Sequence, residues 1–131
     1  MVRRLALQGL CCLDVQGGKA LDAMNQFIAD SDESLDTVVA ARELMLDTFD
    51  DRPEIDAMLA RHARRWDLPR LALVDRNILR MSVHELKGKI VPPKVIINEA
   101  LKLARDFSTA ESPRFINGVL DAVLKELQKQ D

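Results

Sequence analysis

The chain reads as an all-α protein, one domain of about seven helices spanning residues 1–131. Three observations carry that reading. Apolar residues recur at spacings of three and four along most of the length, and no stretch alternates with period two. The breaks between these runs are helix punctuation: Gly17-Gly18, the acids from Asp30 to Glu33, Asp50-Asp51-Arg52-Pro53, Gly88, Val91-Pro92-Pro93 and Ser112-Pro113. Around residues 71–86, Leu71, Ala72, Val74, Ile78, Leu79, Met81, Ser82, Val83 and Leu86 fill an arc of roughly 200° on a helical wheel, about twice the stripe of an ordinary surface helix. A helix of that kind is a central rod covered on several sides.

Residues 2–15 form the first helix, with Leu5, Ala6, Leu10, Cys12 and Leu13 inward and Arg4, Gln8 and Cys11 sharing the other side. Gly17-Gly18 stops it. Lys19 to Ala29 is the second, with Leu21, Met24, Phe27 and Ile28 inward. The acids of Asp30-Ser31-Asp32-Glu33 suit the start of a third, which runs from about Leu35 to Phe49 on Leu35, Val38, Val39, Met45, Leu46 and Phe49. Pro53 falls in the first turn of a fourth, whose stripe is Ile55, Met58, Leu59, His62, Ala63 and Trp66. Asp67-Leu68-Pro69 leads into the central helix, which Gly88 ends. A sixth helix from Lys94 to Phe107 turns Ile96, Ile97, Ala100, Leu101, Leu103, Ala104 and Phe107 inward. Ser112-Pro113 reads as a cap and start for the last, carrying Ile116, Val119, Leu120, Val123, Leu124 and Leu127 and fraying from Gln128. Asp75 and Glu85 fall inside the apolar arc of the central helix, so each needs a partner.

Apolar content of 47% excludes a disordered chain, and no apolar run approaches the ~18 residues of a membrane span. The formal net charge of −2 means that any nucleic-acid site is a local patch. Cys11 and Cys12 are adjacent, and as the only cysteines they make a poor staple. The start M-V-R-R-L-A-L-Q-G-L-C-C has a short h-region broken by Gln8 and no small-residue cleavage site. The chain reads as mature, cytoplasmic and not membrane-bound.

Enzyme motifs are missing: no C-x-x-C, no H-E-x-x-H and no phosphate-cradling glycine loop. Asp30, Asp32, Ser34 and Asp36 imitate a calcium loop, but Leu35 and Ala41 stand where the turn glycine and final glutamate belong. No metal and no cofactor are expected, and no catalysis. His62, on an apolar stripe, reads as a satisfied histidine at the core edge. The row Arg76, Arg80, His84, Lys87 admits two readings, a phosphate-binding row or the solvated face of a buried helix. In the last helix Arg114, Phe115 and Gly118 lie together. An interior glycine costs about 1 kcal/mol relative to alanine, so either another helix packs there or a ligand approaches the backbone. Phenylalanine stacks on bases and arginine binds phosphate.

The stretches V-D-R-N-I-L-R-M-S-V-H-E-L (74–86), P-P-K-V-I-I-N-E-A-L-K-L-A (92–104) and R-F-I-N-G-V-L-D (114–121) resemble the NusB family in order and spacing. R-R-L-A-L-Q-G-L extends the resemblance to the start. It implies an all-helical fold of two subdomains and a transcription antitermination factor of ribosomal RNA operons. Such a factor binds boxA-like single-stranded RNA together with NusE, the small-subunit ribosomal protein of the antitermination complex. Carried over residue by residue, the RNA contacts are Arg3, Arg4, Gln8, Arg114 and Phe115, and the partner contacts are Asp75 and Arg76. Arg80, Glu85, Asn98, Glu99 and Asn117 match recurrent polar positions read as structural. The family's basic arm is reduced here to Arg3 and Arg4, and an aromatic usual near Cys11 is missing. Two other readings stay open: an accessory RNA-binding domain of a ribosomal RNA methyltransferase, and a module that self-associates, for instance as a homodimer, and has lost RNA binding.

Overall fold

The computed structural model describes residues 1–63 and 72–130. Among them it holds seven α-helices and no strand: α1 (Val2–Gln16), α2 (Leu21–Ala29), α3 (Leu35–Asp50), α4 (Arg52–His62), α5 (Leu73–Gly88), α6 (Pro93–Phe107) and α7 (Ser112–Lys129). Trp66, Asp67, Leu68, Pro69 and Leu71, used in the sequence reading, lie outside the described residues. The chain divides into two compact units, Met1–Asp50 and Asp51–Asp131. No described helix is long and apolar enough to cross a membrane.

In the first unit α1 packs on α2 and α3. Leu5, Ala6, Gly9, Leu10 and Leu13 are buried as one stripe, and Leu7 widens it to about 200°. Gly9 lets α3 approach, since a Cβ there would collide with the Met45 thioether. Gly17 takes φ 80, a left-handed value that favours glycine, and its N–H closes α1 on Leu13 O at 2.7 Å. Lys19 is not yet in the α-helix as expected: it lies in a single 3₁₀ turn, Gly18–Ala20, and α2 starts at Leu21. Of the four inward residues assigned to α2, only Ile28 is buried, and Phe27 is 44% exposed. The buried face of α3 is Val38, Ala41, Met45 and Thr48, while Leu35 and Val39 are exposed. The start of α3 is capped by Ser34, whose Oγ accepts the Thr37 N–H at 3.3 Å, rather than resting on the acids alone.

In the second unit α5 packs against α4, α6 and α7, the central position its wide apolar arc requires. Ile78, Leu79, Met81 and Val83 are buried with Ile96, Ala100 and Ala104 of α6 and Ile116, Leu120 and Val123 of α7. The arc of α5 opposite the apolar one is not solvated throughout. Asn77 and Arg80 are also buried, because that side of α5 faces α4. Arg80 donates two hydrogen bonds to Asp56 of α4, both at 2.9 Å. Further along α5, Lys87 donates to Asp51 at 2.6 Å and pairs with Glu54 at 3.1 Å, and His84 Nδ1 lies 3.4 Å from Asp51. Burial pushes the Asp51 carboxyl up, but the Lys87 and His84 contacts outweigh it and hold it below its ordinary range. Neither reading of that polar row therefore describes Arg80, His84 and Lys87: they fasten α5 to α4.

Helix ends also differ from expectation. The residue in left-handed conformation after α5 is Lys89, φ 56, and not Gly88. Ser112 does not cap α7; it is the first helical residue and is buried.

Candidate nucleic-acid interface

Three helix starts carry cations, with no acid in the same turn, where the helix dipole is positive. The first turn of α1 holds Arg3 and Arg4, that of α7 holds Arg114, and neither contains an acid. By contrast α2, α3, α4 and α5 begin with Asp22, Asp36, Glu54 and Asp75, as the dipole favours. Only α6, with Lys94, shares the pattern of α1 and α7. A cation at the positive end of a dipole costs stability, and together with the free backbone N–H groups it attracts anions.

The expected RNA residues fall into two groups, one in each unit. On α1, Arg4 and Gln8 are one turn apart and both exposed. Arg3 sits about 100° round the helix and is half-buried, so it does not share their face. On α7, Arg114 and Phe115 are exposed, and Arg114 has no hydrogen bond or ion pair among the described residues. They line an open depression of about 740 Å³ with Gly118, Val119, Glu111 and His62. Among the described residues no atom lies within 4 Å of where a Cβ on Gly118 would stand, so none of the described helices packs there. Among the described residues nothing fills the space beside this glycine, and Phe115, 38% exposed, lines the same depression.

His62 and Glu111 were not found as parts of this depression by sequence reasoning. Glu111 adjoins Ser112 in the chain and was within reach of the motif, but His62 comes from α4 and only the fold brings it in. The expected role of His62 at a core edge does hold. Its Nε2 lies 2.7 Å from Glu126 Oε1, and Arg61 adds two hydrogen bonds to the same carboxylate at 2.9 and 2.8 Å. The Arg61 guanidinium, with His62, holds the Glu126 carboxyl down at about 2.

Asp75, expected at a partner surface, is buried, and its two oxygens are taken within the unit. Ser108 Oγ donates to Oδ1, and Ser112 Oγ donates to Oδ2 at 2.8 Å. On the wheel Asp75 sits near the middle of the apolar arc, which was the sequence signal for burial. Arg76 beside it is half-buried. Of the positions read as structural, Arg80 is so engaged, whereas Asn98 and Asn117 are exposed.

The model of the NusB family matches residues 1–125. The chain belongs to the NusB family. It is 41% identical to the transcription antitermination protein NusB of Solibacter usitatus over 95% of this chain and 87% of that protein. It is 39% identical to its counterpart in Myxococcus xanthus, over 97% of this chain and 94% of that one. T. maritima NusB superposes with a TM-score of 0.87 at 30% identity, covering 95% of this chain and 89% of the other. A chain from a crystal structure described as a plectonemic RNA supercoil superposes with a TM-score of 0.89 at 25% identity, over 99% and 96%. The seven-helix architecture is thus the NusB fold.

Proposed function

We propose that this NusB-family chain is a transcription antitermination factor that binds boxA-like single-stranded RNA and NusE in the cytoplasm. It works by assembly rather than catalysis. Arg4 and Gln8 on one face of α1, Arg3 on the adjoining face, and Arg114 and Phe115 on α7 contact the RNA; the start of α5, at Arg76, contributes to the protein partner.

The observation that carries the RNA reading is the start of α7. An arginine with no partner among the described residues stands against the helix dipole, next to a partly exposed phenylalanine that lines an open depression among those residues. That combination offers a phosphate contact and a stacking plane within one turn. Binding RNA and NusE together makes the second contact effectively intramolecular, so joint affinity exceeds either alone.

The test is titration of a boxA-like RNA oligonucleotide with and without NusE. Phe115→Ala is expected to lower RNA affinity by roughly 1–3 kcal/mol, the worth of one base–aromatic stack, with the melting temperature nearly unchanged. Unfolding of Phe115→Ala, or unaltered RNA binding by a folded variant, would move the surface elsewhere.

A further inference from the structure

We propose that Asp75 is a positioning residue for the RNA face. Through Ser108 and Ser112 it fixes the first turn of α7, and so the direction in which Arg114 and Phe115 point. The proposal rests on the reading that these two residues meet RNA.

The first turn of α7 has few resources of its own. No side chain caps it, and Pro113 supplies no N–H. Its Phe115 N–H reaches Glu111 O only at 3.4 Å, a long bond. The hydroxyl cluster supplies what the helix lacks. Ser112 in that turn donates to Asp75 Oδ2 at 2.8 Å, and Ser108, just after α6, donates to Oδ1. Ser112 Oγ also lies 2.9 Å from both Ser108 Oγ and Thr109 Oγ1. Each hydroxyl has one proton. With those of Ser108 and Ser112 given to the carboxylate, Thr109 donates to Ser112. One carboxylate on the central helix thus holds the connector at Ser108 and Thr109 and the start of α7 at Ser112. Phe115 is one turn beyond Ser112, so any slack at Ser112 appears at Phe115.

Three variants of the full chain test this: Ser108→Ala, Ser108→Thr and Asp75→Ala. Each is read by boxA-like RNA affinity, thermal unfolding and amide hydrogen exchange along α7. Ser108→Ala is the mild variant, since Ser108 is half-buried. It is expected to weaken RNA binding about five-fold, the size of one net hydrogen bond. The Phe115 amide should exchange faster, and those from Val119 to Val123 should not. Ser108→Thr keeps the hydroxyl and is expected to restore both readouts. Asp75→Ala, if it folds, should exceed Ser108→Ala in both. Unchanged exchange at Phe115 in Ser108→Ala overturns the proposal. So does faster exchange with unchanged RNA affinity, faster exchange throughout α7, or failure of Ser108→Thr to rescue. Phe115→Ala runs alongside: if it binds RNA normally, the RNA reading fails by itself, and the exchange data still decide whether Asp75 holds the turn.

Discussion

Glu126 sits where two basic side chains of α4 converge on one carboxylate, and its pH dependence follows from that geometry. Its folded pKa of about 2 lies below the ordinary 4.5, because Arg61 and His62 bond the charged form. A depressed carboxyl pKa adds stability above the unfolded value, and that contribution is lost as pH falls through the folded value. Thermal melts of wild type and Glu126→Gln should therefore differ by a constant amount above pH about 4.5 and converge between about 4.5 and 2. Arg61 is exposed, so the gap should shrink with added salt. A gap that widens on acidification contradicts the pairing. Asp75 teaches a complementary lesson about single residues. Its burial was legible in its wheel position, but its partners were not. Ser108 and Ser112 are more than thirty positions away in sequence, and no periodicity connects them to it. The same holds for Asp56 beneath Arg80 and Glu126 beside His62.

At the scale of the helix, existence was easier to read than orientation. All seven helices are present, since glycine, proline and capping residues mark their ends locally. The buried faces of α2 and α3 were misassigned, because each carries apolar residues on more than one side and only the packing of α1 decides which go in. Phe27, Leu35 and Val39 stayed out. The glycines show how packing rather than propensity sets a position's value. Alanine in place of an interior helical glycine gains about 1 kcal/mol where nothing else changes. At Gly118 nothing among the described residues lies near the added methyl, so Gly118→Ala should stabilise by about that amount while crowding the depression beside Phe115. At Gly9 the methyl would meet the Met45 side chain, which is fully buried. Overpacking of this kind costs typically 1–3 kcal/mol, so Gly9→Ala should be destabilising by about 1 kcal/mol after the propensity gain. Denaturant melts of the two variants should move in opposite directions. A gain in stability at Gly118 with undiminished RNA affinity would exclude the floor of that depression from the RNA surface.

For the whole molecule the deciding quantity is charge. A net charge of −2 gives no attractive field for RNA, so affinity must come from a few placed cations. Many of the central cations are already committed: Arg80 to Asp56, Lys87 to Asp51 and Glu54, Arg61 to Glu126, Lys125 to Asp121. The cations of the proposed surface are Arg3, Arg4 and Arg114. Each phosphate contact with single-stranded RNA contributes about −0.7 to the slope of log affinity against log salt. Three contacts therefore predict a slope of about −2, shallow for a nucleic-acid binder. Arg4→Ala should reduce its magnitude by about 0.7, weakening binding mainly at low salt. Arg114→Ala should do the same. Phe115→Ala should lower affinity equally at every salt concentration and leave the slope unaltered, because stacking releases no counterions. Lys125→Ala, at an exposed side chain already paired, is the control and should change neither. A much steeper wild-type slope would mean that cations outside this set reach the RNA. A slope untouched by Arg4→Ala would remove α1 from the surface and leave the start of α7 to carry it.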